Sequence, residues 1–99
     1  MTIRHIILLR FKEGTSAGEL AHCMEAFAKL PAQIPGITGF EHGPDVSPEN
    51  LAKGYNHVAV VSFTDAAARD AYLPHPVHQA FVGVLKPLLE DLLVFDYEV

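Results

Sequence analysis

The segment TIRHIILLRFK, residues 2–12, constrains the fold more than any other part of the chain. It alternates as a strand does. Ile3, His5, Ile7, Leu9 and Phe11 lie on one face; Thr2, Arg4, Ile6, Leu8, Arg10 and Lys12 lie on the other. The first face is apolar except for His5, and the second is apolar at its centre and basic at both ends. A strand apolar on both faces has to be covered on both sides. YNHVAVVSF repeats the pattern, with Tyr55, His57, Ala59, Val61 and Phe63 on one face and Asn56, Val58, Val60 and Ser62 on the other. In the closing strand, LLVFDYEV, Leu92, Val94 and Asp96 face one way and Leu93, Phe95 and Tyr97 the other.

Helical spacing fills the intervals. After Thr15 or Ser16, either of which can cap, with Glu19 as capping-box partner, Leu20, Cys23, Met24, Phe27 and Leu30 or Ile34 recur on one face until Pro31, Pro35 and Gly36 end the run. A short strand over 37–43 follows, then a polar loop with Pro44, Pro48 and Gly54. TDAAARDAYL reads as a short helix capped by Thr64 or Asp65 and stopped by Pro74. Pro76 opens a second helix, where its missing N–H costs nothing, and Pro87 kinks the last turn.

The order β-α-β-β-α(α)-β predicts one α+β domain over residues 1–99, with a ferredoxin-like four-stranded antiparallel sheet and helices on one face. Helices on one face leave Ile6, Leu8, Val58, Val60, Leu93, Phe95 and Tyr97 uncovered on the other. Burying one such side chain contributes roughly 1.5–3 kcal/mol, so a homodimer formed through the open sheet face is the expected cover. The hydrophobic fraction, 49%, is high for 99 residues and agrees with that expectation.

Several function classes are excluded. The net charge is −5 and the basic residues are scattered, so nucleic acid is not an expected partner. No apolar run reaches the roughly 18–20 residues of a membrane span, and the N-terminal segment has no small-residue cleavage site, so no membrane association and a cytoplasmic location are expected. The single cysteine, Cys23, reads as a helix core residue. The histidines lack a strong metal-ligand spacing, and neither a metal nor another cofactor is called for.

The polar residues on the helix-covered face carry the candidate chemistry. His5, His57 and Asp96 each place one ionisable group on an otherwise apolar face. His78 shares a helix face with Phe81, Val82 and Leu85 and so points inward, and Tyr72 lies beside the break between the two helical segments. A buried imidazole is neutral near pH 7 and can accept a proton, while a tyrosine can donate a hydrogen bond to a developing oxyanion. Asp96 is placed to orient His78. His75 reads as a cap, and His22 and His42 as surface residues.

The segments IRHIILLRFK, GYNHVAVVSF, YLPHPVHQAFV and LLVFDYE together resemble the stress-responsive dimeric A/B barrel (Dabb) domain over nearly the whole chain. The element HPxHxxF, from His75 to Phe81, is the most specific part. The resemblance implies a homodimer whose sheets close into a barrel. In family members that cyclise polyketides by intramolecular aldol condensation, a lyase-type reaction, the acid/base pair is a tyrosine and a histidine. These fall on Tyr72 and His78, and a pocket-lining position falls on His5; His57 and Asp96 stay as the supporting groups that their place on the sheet face suggests. The resemblance also implies a ligand pocket lined by Ile7, Leu9, Ala59, Val61, Phe81, Val84, Leu92 and Val94, with Met24 and Phe27 on the first helix. Phe27, where such a cyclase has tyrosine, removes a hydroxyl from the wall and points to a different substrate. The expectation is a small-molecule binder that uses cofactor-independent acid/base chemistry on a small apolar or polyketide-like ligand. The rivals are a non-catalytic stress-responsive structural protein and a cofactor-free monooxygenase of the same fold.

Overall fold

The structure, a computed structural model, describes all residues 1–99. The strands are β1 (Ile3–Phe11), β2 (Ile37–Pro44), β3 (His57–Phe63) and β4 (Leu89–Glu98). They form one antiparallel sheet in the order β2-β3-β1-β4. The helices are α1 (Ala17–Ala28), α2 (Leu30–Gln33), α3 (Ala66–Tyr72) and α4 (Pro76–Leu85), followed by a 3₁₀ turn over Lys86–Leu88. This is the ferredoxin-like arrangement expected.

Local chemistry sets the ends of the helices. Ser16 and Glu19 form a reciprocal capping box at the start of α1. The Asp65 carboxylate accepts the Ala68 N–H at 2.8 Å. His75 Nδ1 accepts the Val77 N–H at 3.1 Å, so His75 is the cap of α4 with Pro76 in its first turn. Pro87 ends α4 at Leu85 rather than merely bending it, because proline supplies no N–H to continue the helical ladder. β4 then starts at Leu89, three residues before the expected Leu92, where Leu89 pairs with Phe11 across a bulge at Arg10/Phe11. Gly36, at φ +92°, turns the chain into β2. A Cβ there would lie 2.6 Å from the Ala68 Cβ, so the glycine also lets α3 approach the sheet closely.

One core fills the space between the helices and one sheet face. Ile3, Ile7, Leu9 and Phe11 from β1 meet Ala59, Val61 and Phe63 from β3 and Cys23, Met24, Phe27 and Leu30 from the first helical layer. The opposite sheet face has no layer over it. Leu93, Phe95 and Tyr97 are exposed there, Phe95 by 68%, beside the half-buried Ile6, Leu8, Val58 and Val60. No helix is long and apolar enough to cross a membrane.

Candidate active site

The sheet is wider than the helical layer. β4 is an edge strand, and its helix-side residues Leu92 and Val94 remain 37% and 52% exposed. The uncovered width is a cleft of about 450 Å³ between β1 and β4 on one side and α1, α3 and α4 on the other. Its middle is apolar, with Ile7, Phe27, Phe81, Val82 and Val94. Its polar groups gather at the end where His5 faces Asp96 across the β1–β4 pair.

At that end the break between α3 and α4 aims two side chains at one place. Tyr72 closes α3 and His78 opens the first turn of α4; their rings lie 4.0 Å apart, centroid to centroid, tilted by 33°. The His75 N–H bonds to the Tyr72 carbonyl at 3.1 Å, which closes the turn around Pro74. Tyr72 is 1% exposed and packs edge-on to Phe63 and His5. No buried side-chain nitrogen or oxygen lacks a partner. The Tyr72 hydroxyl makes no hydrogen bond within the protein, so the atom itself must reach the cleft that the ring lines. Burial pushes the phenol well above its ordinary range, so it stays protonated and remains a donor.

His78 donates from Nδ1 to the Leu73 carbonyl at 2.9 Å. A ring nitrogen facing a carbonyl must carry the proton, so Nε2 has the lone pair. Burial holds His78 below the ordinary histidine range, and the neighbouring His5 and His75 add to that, against the opposing bond to Leu73. The site therefore holds a neutral imidazole that can accept a proton beside a phenol that can donate a hydrogen bond.

Two of the expected roles change. Asp96 does not orient His78. Its Oδ1 accepts from His5 Nδ1 at 2.6 Å and its Oδ2 accepts from Arg69 Nη1 at 2.9 Å, so both oxygens are engaged elsewhere. The β1–β4 register dictates this, because it pairs His5 directly with Asp96. His57 does not join the site either. It sits at the far end of the same sheet face, with Nε2 3.0 Å from Nδ1 of His42 and its ring against Phe11. His42 is exposed, as expected, but it has a partner on the neighbouring strand.

Ile7, Phe27, Phe81, Leu92 and Val94 line the cleft. Leu9, Met24, Ala59 and Val61 do not; they are fully buried in the core behind it. Val84 is 47% exposed and lies outside the cleft. Arg69, Asp70 and Lys86 line the cleft without having been expected. Each is a charged helix residue of the kind that usually faces solvent, and nothing in the local sequence sets it apart. A larger hollow, of about 610 Å³, lies on the opposite sheet face between Leu8, Val58 and Leu93 and the loop residues Val46 and Leu51. It is part of the uncovered apolar surface; Tyr55 and His57 also line it, but the Tyr55 hydroxyl donates to Asp91 and His57 Nε2 faces His42.

A ferredoxin-like domain with one open apolar sheet face and a half-enclosed cleft defines the class of small α/β barrel protomers. The chain belongs to the stress responsive A/B barrel domain family, whose model matches residues 3–99. It is 33% identical over 96 residues to the stress-response A/B barrel domain-containing protein HS1 of Arabidopsis thaliana, covering 97% of this chain and 88% of that one. It is 31% identical over 97 residues to the olivetolic acid cyclase of Cannabis sativa, covering 98% and 96%. A dimeric ferredoxin-like protein of unknown function from Jannaschia sp. CCS1 superposes with a TM-score of 0.87 at 31% identity over the full length of both chains.

Proposed function

We propose that this protein is an acid/base enzyme of the cyclase type, acting on a small, mostly apolar ligand with a carbonyl or enolisable head. The observation that carries the reading is the Tyr72–His78 pair at the polar end of an apolar cleft. In the proposed step, His78 Nε2 takes a proton from a carbon between two carbonyls, and the bonding pair moves onto oxygen as an enolate. The Tyr72 hydroxyl donates a hydrogen bond to that oxygen. The enolate carbon attacks a second carbonyl of the same chain, forming the ring bond, and the proton on His78 passes to the alkoxide that results. Positioned acid/base assistance of this kind is worth roughly 10²–10⁴-fold. The cyclase relative supports the reaction class, and Phe27 in the wall argues for a substrate that asks less of that wall by hydrogen bonding.

The functional unit is a homodimer formed through the open sheet face. The dimeric relative and the exposed Leu93, Phe95 and Tyr97 support this. The N-acetylcysteamine thioester of a 3,5,7-trioxo acid is a suitable probe, with the cyclised thioester, or the acid its hydrolysis leaves, detected by mass spectrometry. Wild type should accelerate ring closure, and Tyr72→Phe and His78→Ala should each abolish most of that acceleration while unfolding at or above the wild-type temperature. Heavy destabilisation of both variants, with no acceleration by wild type, would make the pair structural and leave a non-catalytic protein.

A further inference from the structure

We propose that Arg69 is a positioning residue of the cleft: through Asp96 it keeps His5 in the tautomer whose free Nε2 is a second proton acceptor beside Tyr72 and His78. The catalytic consequence rests on the acid/base reading above; the positioning itself does not.

The geometry starts at the Asp96 carboxylate. One oxygen takes the His5 Nδ1 proton at 2.6 Å and the other takes a proton from Arg69 at 2.9 Å. All three groups are largely shielded, with side-chain exposures of 7% for His5, 22% for Asp96 and 25% for Arg69. A hydrogen bond at one ring nitrogen decides the state of the other. With Nδ1–H spent on Asp96, Nε2 of a neutral His5 holds a lone pair. Nε2 has no protein partner, and no buried polar side-chain atom is left without one, so Nε2 is open to the cleft that His5 lines.

Arg69 matters because an Asp96 carboxylate held at only one oxygen is free to turn away, and the His5 Nδ1–H then has no fixed partner to set the tautomer. The guanidinium fixes the second oxygen, so Asp96 keeps its first on the His5 Nδ1–H. The Asp70 carboxylate in turn accepts from Arg69 Nε at 3.0 Å and steadies the guanidinium from the solvent side. The cleft then presents two lone-pair imidazole nitrogens, His78 Nε2 and His5 Nε2, around one phenol donor. The His5 and Tyr72 rings lie 6.1 Å apart. A proton taken from a ligand carbon by His5 Nε2 leaves its electron pair on the ligand as an enolate; the imidazolium exchanges that proton with solvent and returns one to the carbon, which restores the neutral ligand and the free Nε2. Two acceptors allow a ligand with two acidic positions to be deprotonated at either one.

The test reads His5 directly. Long-range ¹H–¹⁵N correlation spectra of the imidazoles at neutral pH should give wild-type His5 a protonated Nδ1 and an unprotonated, deshielded Nε2. In Arg69→Met the Nε2 signature should shift toward that of a protonated nitrogen, and Arg69→Lys should restore it at least in part. Asp96→Asn is the second variant, and it should release His5 into a mixture of tautomers. Deuterium exchange into the octanoyl thioester of N-acetylcysteamine, next to its carbonyl, gives the catalytic readout. There Arg69→Met should lower the turnover rate by roughly 10–100-fold, the size of effect seen for outer partners of metal-ligating imidazoles, with little change in the thioester concentration at half-saturation. An unchanged His5 signature in Arg69→Met, or a protonated Nε2 in wild type, overturns the inference even if His78→Ala abolishes exchange. A shifted signature with no exchange in wild type supports the positioning role and defeats the acid/base reading instead.

Discussion

Two histidines on the same sheet face show how little burial says about use. His5 and His57 are each 6% exposed, each stands on a central strand, and each faces the helices. His57 spends Nε2 on His42 and is walled by Phe11; it completes the end of the core. His5 spends Nδ1 on Asp96 and keeps Nε2 open to the cleft. The difference comes from the neighbouring strands. β2, beside His57, carries a second imidazole within reach. β4, beside His5, is an edge strand that the helices leave partly bare, so a cavity stands where more core would otherwise be.

The contrast can be broken most sharply at the two ends of the face. His78→Ala should lower any proton-transfer activity of the cleft by roughly 10²–10⁴-fold, whereas His57→Ala should leave that rate near wild type in the same assay. A large loss in His57→Ala would put both ends in one site. The next effect in size belongs to the opposite sheet face. Phe95→Asp places a charge on the apolar surface around Leu93 and Tyr97, and sedimentation or light scattering should then find monomer where wild type gives dimer.

Stability should respond in the reverse order. His57→Ala removes a buried hydrogen-bonded ring, and denaturant unfolding should show a loss of about 1–3 kcal/mol. Tyr72→Phe should cost nothing, because its hydroxyl has no protein partner to lose. The smallest effect is in the pH dependence. Burial, and then the charge of His42, hold His57 below the ordinary histidine value of 6.5; burial chiefly does the same for His78. Below that value the unfolded chain binds protons that the native state refuses, so stability should fall as the pH drops from 6.5 toward the folded-state values. His42→Asn should make the slope shallower but not flat, because burial, the larger cause, remains. An unchanged slope would mean that the charge of His42 does not reach its neighbour.

Much of the fold was legible because alternation and helical spacing are local properties. Doubly apolar β1 and β3, the capping box at Ser16, the proline break at 74–76 and the uncovered face all follow from residues close together in the chain. At Pro87 the helix stops where the local pattern asks only for a kink, and β4 starts three residues before that pattern places it, since a 3₁₀ turn and a bulge depend on what pairs across the sheet. The pairing of Tyr72 with His78 could be expected, as both flank one break. Arg69 could not. On α3 it reads as a solvated helix residue, and only the docking of that helix beside the edge strand brings it to Asp96, twenty-seven positions away in the chain.

The sequence by itself determined the elements, the faces they bury and the inward direction of His5, His57, Tyr72 and His78. It did so because side-chain direction in a strand or helix depends on backbone period alone. The tertiary structure decided which nitrogen each imidazole has left to offer. Sheet register gives Asp96 to His5 rather than to His78, strand order gives His42 to His57, and the width of the helical layer leaves the cleft open beside β4. Those outcomes depend on distances between residues far apart in the chain, which no local pattern encodes.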